Sequence, residues 1–135
     1  MAEIFDNLNL DDLGGLLESY AEKAKGILTD SSKFDTIVMK VEEKAKNVPA
    51  IGEQLSDLTL IISMARDYIT KAYTDIAEKT ILFEIGALIY LISPIDLIPD
   101  KFKGIGHLDD IAVILFVQKL CHDDIEKYRA WKQAQ

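Results

Sequence analysis

The sequence predicts an all-α fold, a small helical bundle in which amphipathic N-terminal helices clasp a central apolar helical hairpin. Three observations carry that expectation. Apolar residues recur at three- and four-residue steps along most of the chain, the period of one face of a helix. Two almost continuous apolar runs, KTILFEIGALIYLIS at residues 79–93 and IAVILFV at 111–117, flank a turn-rich segment with two prolines. No run alternates apolar and polar residues in the way a half-buried strand requires.

The first stripe is Leu10, Leu13, Leu17, Tyr20, Ala24 and Ile27, with Gly14 and Gly15 weakening its opening turns. Thr29 to Ser32, TDSS, is a capping cluster, so a break is expected near Asp30 before the stripe resumes at Phe34, Val38, Val41 and Ala45. Pro49 and Gly52 punctuate the chain, and a third stripe, Leu55, Leu58, Ile62, Ala65, Ile69 and Ala72, predicts a helix ending near Tyr73. The fourth helix, residues 79–93, is apolar nearly all round, is interrupted by Glu84 and stops at Pro94. It falls short of the roughly 20 residues that span a bilayer and reads as a buried central helix. A fifth, long helix is expected from near Leu108 through IAVILFV to Ile125, Tyr128 and Trp131. Residues 1–48 thus form an N-terminal amphipathic region and 49–135 a helical core holding the hairpin at 79–128, expected to make one domain overall.

Composition narrows the function. Lys and Arg total 15 against 23 Asp and Glu, a formal net charge of -8, which repels nucleic acid and favours basic partners. The chain of 135 residues is long enough to bury a core without staples, and its single cysteine, Cys121, forms no internal bridge. With an acidic opening, MAEIFDNLNLDD, in place of a charged-then-apolar leader, the expected location is the cytoplasm. Cys121 reads as a small buried hydrophobe. Glu84, inside the apolar run, needs a partner if buried, with Lys79, Arg66 or a tyrosine hydroxyl as candidates.

The segment between the apolar runs carries SPIDLIPD at residues 93–100 and GIGHLDDIAVILF at 104–116. Ser93 and Asp96 suit turn capping, Pro94 and Pro99 stop helices, Asp100 sits at the turn, and Asp109 and Asp110 suit the positive end of the next helix. The same acids, Asp96, Asp100, Asp109 and Asp110, with His107 beside them, also form the oxygen-rich set a divalent cation such as Mg, Mn or Ca accepts. The structural reading is preferred, with no resident metal or cofactor, because the spacing permits convergence without requiring it. No catalytic residue is assigned: the segment has neither a nucleophile motif nor a phosphate loop.

The apolar helix followed by GALIYLISPIDLIPD and GHLDDIAVI closely resembles the signature of the YkvA-like family of bacterial domains of unknown function, over roughly residues 79–128. The resemblance implies a helical hairpin, sometimes expected to touch membranes, and brings no established reaction or catalytic residues. Here DKFKGIG is more charged than the usual family loop, which argues against insertion.

Three function classes follow. The leading expectation is a non-enzymatic interaction module or accessory subunit that forms a homodimer or binds a larger, basic protein, for instance a nucleic-acid-handling enzyme. Its contact residues would be the N-terminal stripe, Leu10, Leu13, Leu17, Tyr20, Phe34, Val38 and Val41, together with Tyr128 and Trp131. The alternatives are a membrane-associated hairpin and a divalent-metal enzyme built on the loop aspartates. If the loop acids are caps, Asp96→Ala or Asp109→Ala should each lower stability by about 1–2 kcal/mol in chemical denaturation, and the Asn variants by less.

Overall fold

The computed structural model describes residues 10–92 and 107–135, with side chains from Gly15 onward except those of Leu16, Ala50 and 107–110. These residues form helices α1 (Leu10–Ala24), α2 (Ser31–Asn47), α3 (Pro49–Gly52), α4 (Leu55–Ile69), α5 (Glu78–Ile92), α6 (His107–Leu120) and α7 (His122–Gln133). The fold is all-α, and a single cluster of buried side chains draws on every helix.

Local chemistry explains most helix ends. At the start of α2, Asp30 takes extended backbone angles and its carboxylate accepts hydrogen bonds from the Lys33 N–H at 3.2 Å and the Ser32 hydroxyl at 2.7 Å. Those bonds, Ser32 first, hold the Asp30 carboxyl below its ordinary value. The two N-terminal helices therefore part at Asp30. Pro49 opens α3 at a position where a missing N–H is harmless.

α4 ends at Ile69, earlier than the expected Tyr73. Lys71 adopts a left-handed conformation, φ 66°, and the Tyr73 N–H turns back to the Asp67 carbonyl at 3.1 Å, closing the helix as a glycine cap would. Tyr73 is thereby freed to stack against Tyr128, ring centroids 5.2 Å apart.

The expected long final helix is divided at Cys121, between α6 and α7. Hydrogen bonds still pass through the junction, Cys121 N–H to Val117 O and Ile125 N–H to Cys121 O, each at 2.9 Å. α6 buries Ala112, Val113, Ile114 and Val117, and the bend lets α7 bring Ile125 and Tyr128 into the core beside α4.

α5 is the centre. Ile81, Phe83, Ile85, Ala87, Leu88, Tyr90 and Leu91 are buried, and α1, α2, α4 and α6 all pack on it, α1 along the greatest length. Lys44 of α2 donates a hydrogen bond to the Leu91 carbonyl near the end of α5. The N-terminal stripe belongs to this packing. Leu17, Tyr20, Phe34, Val38 and Val41 are buried in the chain's own core, which corrects the expectation that they form a partner face. A stripe of that width is needed because α5 buries ten of its fifteen residues and must be covered from several directions. Leu10 and Leu13 lie on α1, and their side chains are outside the described residues.

Gly86 sets how closely α1 can approach. A methyl group there would lie 3.0 Å from the Ala21 nitrogen and 3.1 Å from the Tyr20 carbonyl carbon, both backbone atoms that cannot swing aside. Gly86→Ala, although favourable for an isolated helix, should therefore destabilise the fold by about 1–3 kcal/mol in chemical denaturation.

Candidate functional site

Two groups of polar side chains interrupt the apolar interior, and both involve α7. The first lies where α5 meets the Cys121 bend. Thr80 and Glu84, one turn apart on α5, are both buried, and the Thr80 hydroxyl donates to an Asp124 carboxylate oxygen at 2.5 Å. Glu84 is 0 % exposed, and among the described residues neither carboxyl oxygen has a hydrogen-bond partner. The expected pairing with Lys79, Arg66 or a tyrosine does not form: Arg66 instead faces Asp35 at 3.3 Å, and Lys79 lies over the Phe83 ring, 5.5 Å from its centroid. Burial above all, and then the Asp124 charge, raise the Glu84 carboxyl well above its ordinary 4.5.

Cys121 shares this environment. It is buried, as expected from its sequence setting, and its thiol is pushed up to about 12 by burial, with Glu84 and Asp124 adding to the effect. A thiol so protonated is no nucleophile at neutral pH. Thr80 and Cys121 also line a cleft of about 400 Å³ whose remaining walls include Leu17, Phe83, Phe116 and Leu120.

The second group ties α7 to α4. The Tyr128 hydroxyl donates to Asp67 at 2.6 Å and lies 2.6 Å from the Ser63 hydroxyl, while the Lys132 ammonium donates to the same Asp67 oxygen at 3.2 Å. Burial, followed by the hydrogen bond to Asp67, raises the Tyr128 phenol above its ordinary value, so it remains a donor. Tyr73, Tyr128 and Trp131 stack together beside this network. Tyr128 is fully buried, which corrects its expected role as a surface anchor, and Trp131 packs against the core. Ser63, Asp67 and Lys132 line a wider groove of about 630 Å³ whose apolar wall is Val41, Leu55, Leu58 and Ile62.

Of the loop residues, Ser93, Pro94, Asp96, Pro99 and Asp100 lie outside the described residues. His107, Asp109 and Asp110 fall in the first turn of α6, with side chains outside the description. Among the described residues no three His, Cys, Asp or Glu side chains gather as a metal site would require. Ser63 and Asp67 were not singled out from the sequence, because their partner Tyr128 lies 65 and 61 residues away along the chain.

These features define a small all-α protein organised around one largely buried helix that carries an enclosed carboxyl group. A family model described as a protein of unknown function (DUF1232) matches residues 80–116, from Thr80 to Phe116. The chain is also 31% identical over 78 residues to the uncharacterized membrane protein YkvA of Bacillus subtilis (strain 168), an alignment covering 58% of this chain and 74% of that protein. The chain belongs to this YkvA-like family. No solved structure matches it.

Glu84 is an unpaired polar group in an apolar site, and a flexible apolar side chain of similar length removes that penalty. Glu84→Met should raise stability at pH 7 by about 1–3 kcal/mol, read from the denaturation midpoint at unchanged slope.

Proposed function

We propose that the protein is a non-enzymatic interaction module that self-associates through the groove between α2 and α4. With Leu17, Tyr20, Phe34, Val38 and Val41 buried internally, a contact surface has to lie elsewhere. The groove is where core side chains are reached from solvent: Val41, Leu58 and Ile62 form its wall, and Leu55 stands at its lip, 48 % exposed.

The observation that carries the reading is the charge around that groove. The chain as a whole bears -8 and repels its own copy. The groove instead gathers three cations, Lys46, Arg66 and Lys132, against two carboxylates, Glu42 and Asp67. A patch with both signs around an apolar centre is self-complementary across a two-fold axis, where each residue meets its counterpart's neighbours. The occupant is therefore a second copy of this chain. The acidic remainder of the surface stays free to hold a larger, basic protein, the accessory role.

A second reading, peripheral membrane contact, is favoured by the name of the Bacillus subtilis relative. No described helix is long and apolar enough to cross a membrane. Binding to lipid vesicles in a flotation assay, retained in high salt, would support that reading over self-association.

Leu55 is the first residue of α4, where a carboxylate suits the helix end, so Leu55→Glu should leave the fold intact while placing charge in the contact. Sedimentation of the full chain at micromolar concentration should give a dimer, and Leu55→Glu a monomer. A monomeric wild type would overturn the proposal.

A further inference from the structure

α7 connects the two polar groups. Asp124, Tyr128 and Lys132 recur every four residues and so lie on one face of α7. Asp124, at one end, is bonded to Thr80 beside the unpartnered Glu84. In the middle Tyr128 holds Ser63 and Asp67, and at the other end Lys132 lines the groove. Whatever moves the Asp124 end of this helix acts on the groove through a single rigid element.

We propose that Glu84 is a proton-binding switch: when it loses its proton, α7 loosens from α5 and the groove between α2 and α4 loses its partner. The regulation rests on the self-association reading given above. The geometry supplies the force. An ionised Glu84 would be a second carboxylate beside Asp124, fully enclosed, without a hydrogen bond to either oxygen. Cys121 is a further ionisable group there, and as a thiol it offers no compensating positive charge. Relief comes through separation from Asp124 or entry of water, and both open the contact between α5 and α7.

Most ionisable groups on the remaining neighbours are engaged with other partners. On α1, the Tyr20 ring stacks edge-on with Tyr90, centroids 5.6 Å apart, while its buried hydroxyl, like the Glu84 carboxyl, makes no hydrogen bond among the described residues. On α2, Lys44 bonds the Leu91 carbonyl; on α4, Arg66 pairs with Asp35, and Asp67 with Tyr128 and Lys132. On α6, Lys119 is exposed near the junction.

The sign of the effect follows from proton affinity. The native carboxyl binds its proton more tightly than the unfolded one, so the native state holds more protons between the ordinary 4.5 and the raised native value. Stability is therefore fully present below 4.5 and is lost as pH rises through the native value. Trp131, the single tryptophan, sits on α7 against Tyr73 and Tyr128 and reports its position without requiring a dimer.

The test follows Trp131 emission, denaturant midpoint and dimer dissociation constant from pH 5 to 9 for wild type, Glu84→Gln and Glu84→Met. A wild-type transition in emission and midpoint, absent from both variants and matched by at least about fivefold weaker association at high pH, is the expected result. If wild type and the variants share one pH profile, the proton site is refuted. If emission and midpoint change but association does not, the coupling is refuted while self-association stands. If the chain is monomeric throughout, self-association fails, and the emission transition alone decides whether Glu84 governs α7.

Discussion

The structure depends on one constraint: α5 is apolar almost all round, and ten of its fifteen residues are buried. A helix that is apolar all round must be covered on every side, and here α1, α2, α4 and α6 supply the cover. The closest of these contacts is with α1. Gly86 gives α5 a flat spot on which the α1 backbone at Tyr20 and Ala21 rests, a separation any side chain would widen. The amphipathic stripes of α1 and α2, the short α3 and the bend at Cys121 can all be understood as ways of wrapping a short chain around that axis.

The helices were legible in the sequence where their causes are local. The capping chemistry at Asp30, the apolar periodicity of α4 and the continuous apolar run of α5 act within a few residues. The bend at Cys121 was not legible, because the apolar spacing runs through it without a proline or glycine to mark it. Periodicity also says that Leu17, Tyr20, Phe34, Val38 and Val41 face something apolar, but not whether that surface belongs to the same chain. The structure places all five inside this chain's core.

The polar sites divide in the same way. Glu84 stood out in the sequence as an acid in an apolar run, yet its lack of a partner depends on which side chains the tertiary packing directs elsewhere, such as Arg66 toward Asp35. The Ser63, Asp67 and Tyr128 network joins helices more than sixty residues apart and has no local signature. Three ordinary residue types with ordinary spacing become a network only when α7 folds back on α4.

The single cysteine has a further consequence. Its thiol is pushed up to about 12, chiefly by burial, and oxidants and alkylating reagents react with the thiolate. Cys121 also lies at the bend between α6 and α7, where it is shielded as long as those helices stay seated. Covalent labelling at this position is thus gated by structural opening rather than by the chemistry of the reagent. The chain carries its own clock for that opening: the rate at which Cys121 becomes modified measures how often this corner of the core comes apart.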